Sequence, residues 1–365
     1  MTLLTVGDPD NVTGGYLFHR RLAERAPRHG AEVTFVSIPD VPLPWAIATG
    51  PGWLRAPATR TADVLVLDSL AASAAAPWLG HIAAPVVGML HQPPGGMDAH
   101  RLARSFRAPF DRRAYRTCRL LMVASEWLAD QLTAVCVPRA KMRVVAPGKD
   151  LDADRKAEMD IQPSERARLR NGRLIGALSV ANWLPRKGIM ELLDAVARLP
   201  DQVVTLHLVG DTATRGRYAR RVCERVEQPD LRERVVVHGL IPSAAVERMY
   251  RAADAFVLPS FEEPYGTVWG EAMAAGLPVV GWHAGNLPFL ADHGTEGMLV
   301  GVGDVPALGA AIEQLARDPG LRARMGGAAR RRAAARPTWD ETAARFFGII
   351  EEVRSRYSGG DPRAG

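Results

Sequence analysis

The chain has 365 residues, 47% of them apolar and 24% charged, with a net charge of +6 at neutral pH, a length that allows two domains with separate cores. No apolar run approaches the roughly 18 residues of a membrane-spanning helix. The opening Met1-Thr-Leu-Leu-Thr-Val-Gly7 lacks the basic start and apolar stretch of a secretory signal, so a soluble, cytoplasmic protein is expected.

In chain order, short apolar runs alternate with helical patterns. Residues 3–6, 33–36, 64–67, 86–90, 120–123 and 142–145 read as strands, which predicts a parallel sheet with helices on both faces. Asp8-Pro-Asp10 has turn chemistry, and Gly14-Gly15 leads into the first helix. His91 ends the fourth strand and opens the loop Gln92-Pro-Pro-Gly-Gly96, whose glycines would let it move. Ser125 is expected to cap the helix that follows it. Between Arg101 and Arg119, arginines alternate with Leu102, Phe106 and Phe110. Pro109 is expected to interrupt any single long amphipathic helix there. The run therefore reads as a solvated face with arginine stems over apolar surface, in preference to a membrane-binding helix. The polar stretch from Asp150 to Arg173 reads as an interdomain linker.

The alternation then restarts, with strands expected at 174–178, 203–209, 235–237, 255–258, 279–280 and 298–300. Gly320 to Pro337 reads as helical surface, Trp339 to Tyr357 as a final amphipathic helix, and Ser358 to Gly365 as a frayed tail. The expected division is 1–163, 164–338, 339–357 and 358–365. The most informative segment is Glu263-Pro-Tyr-Gly-Thr-Val-Trp-Gly-Glu271-Ala-Met-Ala-Ala-Gly-Leu-Pro278. Thr267 to Ala275 reads as a helix closed by Gly276. Glu263 then lies in a strand-to-helix loop, and Glu271 about one turn inside the helix. Both carboxylates can face a ligand at the carboxyl edge of a parallel sheet. The helix start offers N–H groups and a positive dipole end to an anion, and Gly266 permits close backbone approach. Carboxylates repel phosphate but accept hydrogen bonds from sugar hydroxyls. The combination predicts a ligand with a diphosphate and hydroxyl-rich ends, a nucleotide sugar.

This segment resembles the E-x7-E signature of the retaining glycosyltransferases of family 4, which have the GT-B fold. Gly14-Gly15 with the following helix and strand, Val123-Ala-Ser-Glu-Trp127, Val144-Val-Ala-Pro-Gly-Lys-Asp150, Asn182-Trp-Leu-Pro-Arg-Lys-Gly188 and Tyr250 to Ser260 are similar to further parts of the family, over roughly residues 1 to 350. The resemblance implies two facing Rossmann-like domains with parallel sheets, acceptor-side first and nucleotide-sugar-binding second, with a C-terminal helix crossing back to the first. It implies transfer of a hexose from a UDP- or GDP-linked donor to an acceptor hydroxyl on a small molecule, lipid or glycan, with retention of configuration. Catalytic roles would fall to His91, Lys187 and Glu263. Donor binding would involve Gly14, Gly15, Arg186, Lys187, Glu263, Tyr265, Gly266, Thr267 and Glu271. Within that set Glu263 would meet donor-sugar hydroxyls and Glu271 the ribose. Many members carry an arginine six residues before the lysine; here that position is Ala181, which leaves the second cation to Arg186. Asn286 stands where the family often has a second glycine after Gly285.

No metal and no cofactor is expected. Asp8-Pro-Asp10 and Asp152-Ala-Asp154 have metal-like spacing, but one sits in a turn and the other in the expected linker. Cys118, Cys136 and Cys223 are odd in number without C-x-x-C spacing, and read as buried apolar thiols. Basic residues form no stripe interleaved with aromatics, so nucleic acid is not an expected partner. Two competing readings are a GT-B epimerase or phosphorylase, and a non-enzymatic Rossmann-type binding protein. Gly7 to Gly14 does not follow G-x-G-x-x-G, which disfavours dinucleotide binding.

Overall fold

The computed structural model describes residues 1–8, 14–97, 101–149, 161–212 and 216–358. The chain divides into two compact units, one of residues 1–150 with 337–365 and one of residues 151–336.

The first unit contains β1 (Thr2–Val6), β2 (Thr34–Ile38), β3 (Leu65–Asp68), β4 (Val86–Leu90), β5 (Leu120–Val123) and β6 (Met142–Val144). All pairings are parallel, in the order β2-β1-β3-β4-β5-β6. Strand alternation sends successive side chains to opposite faces. Leu4, Leu67, Leu90 and Leu121 enter one core with Trp53 and Tyr115. Leu3, Val66, Met89 and Met122 enter the other with Phe18. The second face is closed by helix Trp339–Ser358, through Trp339, Phe346 and Ile350. The Phe18 and Trp339 rings meet edge-on at 5.6 Å. Burying a side chain such as Phe346 is worth roughly 2–3 kcal/mol.

The second unit contains β7 (Ile175–Val180), β8 (Val204–Val209), β9 (Val235–Gly239), β10 (Ala255–Val257), β11 (Val279–Trp282) and β12 (Gly297–Val300). Their order, β12-β11-β10-β7-β8-β9, is again wholly parallel. It is the doubly wound order of a Rossmann sheet, with its switch point between β7 and β10. In the first sheet the switch lies between β1 and β3. Ligands of such sheets bind beyond the carboxyl ends of the strands at these points.

Four local expectations need correction. Residues 163–170 are not linker: Pro163–Arg170 is a helix of the second unit. Its sequence is polar, but Arg170 makes two hydrogen bonds to the buried Asp254 at 2.9 and 2.6 Å, and Leu169 packs on the core. Residues 150–160 lie outside the described residues. Pro109 does not break its helix, which runs unbroken from Arg101 to Thr117. Ala108, Asp111, Ala114 and Tyr115 are buried along that helix, so tertiary packing outweighs the lost backbone bond. Pro319–Ala334 is more than surface, since Met325, Gly326, Ala329 and Ala333 are buried. A Cβ on Gly326 would stand 2.2 Å from the Gly276 carbonyl oxygen, so only glycine allows this approach. Finally, Cys118 is buried but Cys136 and Cys223 are exposed. Of the expected tail, 358–365, Ser358 is the last residue of the final helix and 359–365 lie outside the described residues. No described helix is long and apolar enough to cross a membrane.

Candidate functional site

At the switch point of the second sheet, the loops following β7 and β10 are interlocked. The first passes through Asn182, whose Oδ1 accepts from Asp211 N at 3.1 Å, into a 3-10 turn at Pro185–Lys187. Gly188 then adopts φ 68° and begins helix Ile189–Ala197. A Cβ there would lie 2.1 Å from the Pro259 carbonyl oxygen, so glycine is required both by backbone angle and by space. The second loop ties itself to the first. Phe261 N and Ser260 Oγ donate to the Arg186 carbonyl at 2.7 and 3.0 Å.

These loops bring the side chains of Arg186, Lys187 and Glu263 together. Lys187 Nζ donates to Glu263 Oε2, and Arg186 Nη1 lies 3.6 Å from the same oxygen. Arg186 Nη1 also donates to the Glu262 carbonyl at 3.2 Å. The three side chains are only 12% to 18% exposed. Two cations therefore share one carboxylate oxygen.

Helix Thr267–Ala274 begins immediately beyond, capped by Gly266 at φ 82°. A Cβ on Gly266 would meet the Trp269 ring at 2.3 Å. Thr267, the first helical residue, is exposed. Tyr265 is held from three sides. Its hydroxyl accepts from Arg336 Nη2, the same guanidinium lies over its ring at 5.1 Å, and Asn286 Nδ2 donates to its carbonyl at 2.7 Å. Burial raises the Tyr265 pKa, opposed by Arg336. Asn286 N also donates to the Glu263 carbonyl at 2.9 Å, so the residue in the place of a glycine is a buried strut for this loop. Glu271 is exposed and accepts from the hydroxyl of the buried Tyr250 at 3.1 Å. Burial pushes the Tyr250 pKa up, and the Glu271 charge adds to it, so Tyr250 stays a neutral donor. Neither Tyr250 nor Arg336 was singled out from sequence as a site residue.

The remaining expected residues, Gly14, Gly15 and His91, belong to the first unit. Gly14 and Gly15 open helix Gly14–Arg25, and a Cβ on Gly15 would lie 3.5 Å from His91 Cδ2, an ordinary contact. His91 follows β4, with its backbone N donating to Ser69 Oγ at 3.2 Å. The loop after it is clamped: Gly95 N donates to the buried Asp111 Oδ2 at 2.7 Å, and Asp111 Oδ1 accepts from Ser73. Burial raises the Asp111 pKa, opposed first by that Ser73 bond. A Cβ on Gly95 would sit 2.5 Å from the Arg104 carbonyl, so this glycine serves close packing where loop movement was expected. Ser125 caps its helix as expected, accepting from Leu128 N at 3.1 Å. Asp8 is exposed; Asp10, Asp152 and Asp154 lie outside the described residues.

Two family matches cover most of the chain. Residues 161–332 match the family described as Glycosyl transferases group 1, and residues 16–153 match Glycosyltransferase Family 4. The chain belongs to glycosyltransferase family 4. A D-inositol 3-phosphate glycosyltransferase of Xylanimonas cellulosilytica is 34% identical over 47% of this family-4 chain and 40% of its own length. An MMP alpha-(1->4)-mannosyltransferase of Mycolicibacterium hassiacum is 31% identical over 70% of this chain and 61% of its own. The matched region thus spans about two fifths to three fifths of these relatives. Among solved structures, the sucrose-phosphate synthase of Thermosynechococcus elongatus aligns with a TM-score of 0.81 at 22% identity, covering 97% of this chain and 99% of that one. Anabaena HepE, solved in complex with UDP-glucose, aligns with a TM-score of 0.77 at 20% identity, covering 96% and 100%. At these identities the likeness concerns the fold, which is GT-B.

Proposed function

We propose that this family-4 chain is a retaining, metal-independent glycosyltransferase that moves a hexose from a UDP- or GDP-linked donor to an acceptor hydroxyl. The observation that carries the reading is the convergence of Arg186, Lys187 and Glu263 at the switch point of the second sheet, beside the start of helix Thr267–Ala274. A diphosphate placed there meets Lys187 and Arg186, together with the positive end of the helix at Thr267 and the backbone of Tyr265 and Gly266. As the bond to the sugar breaks, negative charge grows on the leaving nucleotide, and these preorganised groups stabilise it. Glu263, held by Lys187, presents its carboxylate to donor-sugar hydroxyls. Glu271, backed by Tyr250, accepts from ribose hydroxyls. Within the first unit, the reading assigns donor contacts to Gly14, Gly15 and His91, the last to a hydroxyl. No cofactor enters this scheme, and positive charge comes from side chains and the helix in place of a metal ion.

Relatives named as an inositol phosphate glycosyltransferase and a mannosyltransferase support a small hydroxyl-rich acceptor. The test is a thermal-shift panel of UDP- and GDP-sugars, since a ligand that binds only the folded chain raises its apparent stability. Stabilisation by one nucleotide series is expected. Turnover of that donor should survive excess EDTA; abolition with rescue by magnesium or manganese contradicts the metal-free mechanism.

A further inference from the structure

A second cluster lies wholly in the first unit and includes a buried histidine–aspartate pair that the scheme above does not use. Asp68, at the end of β3, is 1% exposed, as is His19 on helix Gly14–Arg25. Asp68 Oδ2 accepts from Thr5 Oγ1 at 2.7 Å, and Oδ1 accepts from Ser69 Oγ at 3.2 Å and Leu70 N at 3.1 Å. His19 Nε2 stands 3.4 Å from Asp68 Oδ2, within ion-pair distance, yet neither ring nitrogen of His19 makes a directed hydrogen bond. The His19 and His91 rings meet edge-on with centroids 5.1 Å apart, and Phe18 walls another side of His91 at 5.0 Å. Among the described residues, His91 Nε2 is buried without a hydrogen-bond partner.

We propose that the His19–Asp68 pair is a positioning device for His91, setting both the charge state of its ring and its place at the end of β4. The role rests on the reading of His91 as a donor contact. Placement runs through the backbone: Asp68 holds the Ser69 hydroxyl, which in turn accepts from His91 N. Charge runs through space. Against the cost of burial, the neighbouring His19 ring and then His91 and the Thr5 hydrogen bond hold the Asp68 carboxyl below its usual range, and His19 also opposes a charge on His91. Among the described residues, the titratable groups facing the His91 ring are His19 from the helix and Asp68 from β3; Tyr115, on helix Arg101–Thr117, also feels the Asp68 charge. Burial and then His19 outweigh the attraction of Asp68 and bring the His91 pKa down to about 3. A ring kept neutral can accept a hydrogen bond from a sugar hydroxyl, which an imidazolium cannot.

The test is a histidine side-chain NMR titration of the full chain between pH 4 and 8, with the His91 signal assigned by its loss in His91→Gln. In the parent, the His91 signal should not titrate across the range. In His19→Gln it should begin to titrate at the acid end of the range, where the parent signal does not move; His19→Asn is the second variant should the first fail to fold. A parent His91 that titrates within the range, or a His91 signal in the folded variant as unresponsive as the parent's, overturns the positioning role. The donor reading is checked separately, by whether His91→Gln loses affinity for UDP- or GDP-glucose relative to the bare nucleotide.

Discussion

The two switch points of this chain solve the same problem with opposite materials. In the second unit, charges lie on interlocked loops and remain partly exposed: Lys187, Arg186 and Glu263 pair with one another near the surface, and Glu271 leans on one buried tyrosine. In the first, the Asp68 carboxylate at the end of β3 and the His19 ring on helix Gly14–Arg25 are taken out of water, and His91, after β4, is half-buried against them. The charges of the second unit keep some contact with water, which leaves their side chains within reach of a ligand. A buried charge is costly unless every bond around it is made, which ties its geometry to the stability of the whole unit.

The largest expected effect tests that contrast. Asp68→Ala leaves Thr5, Ser69 and Leu70 N without their acceptor and His19 without its neighbouring carboxylate, and should lower stability by about 3–5 kcal/mol in chemical denaturation, as removal of one partner from a buried network does. Lys187→Ala in the same assay should cost less, because Glu263 keeps Arg186 beside it and some contact with water. The reverse order would break the comparison.

Acid sharpens it further. His91 has a folded pKa of about 3 against 6.5, so its contribution to stability is complete above pH 6.5 and is lost as pH falls toward 3. Asp68, lowered from 3.8 to about 2, contributes fully above pH 3.8 and loses that contribution as pH falls through 2. Burial alone would raise Asp68, but its interactions with His19, His91 and Thr5 outweigh it. Parent protein should lose a few kcal/mol between pH 6.5 and 4, a loss that His91→Gln flattens. Identical pH profiles for the two proteins would contradict the assignment.

A smaller effect is expected at the second site. Glu271→Gln replaces a charged acceptor by a half-donor amide and should weaken nucleotide binding by roughly 1–3 kcal/mol in calorimetry. Unchanged affinity would remove Glu271 from the ribose.

The same contrast explains what could be read from the chain. All twelve strands and the helix between Glu263 and Gly276 follow from apolar runs and glycine punctuation, because those signals are local. The second site was legible for the same reason: its charged residues sit in two short segments, 182–188 and 263–271. The first was legible only at Gly14, Gly15 and His91. Thr5, His19, Asp68 and Ser69 come from separate elements, and a carboxylate ending an apolar strand, as in Leu65-Val-Leu-Asp68, was the one available signal. Arg336 closes an arginine-rich run in which no single residue stands out, so its place over Tyr265 emerges only from packing. Pro109 and the helix at 163–170 were misread because polar or proline-bearing sequence was judged without the core that anchors it.

The central claim, that the second unit holds a nucleotide diphosphate on Lys187, is tested most directly by calorimetric titration of the parent and Lys187→Ala with UDP, GDP and the corresponding nucleosides. The account predicts that the favoured diphosphate loses at least about tenfold in affinity in the variant, about 1.4 kcal/mol, while its nucleoside binds as before. Equal losses for diphosphate and nucleoside, or none for either, would contradict it.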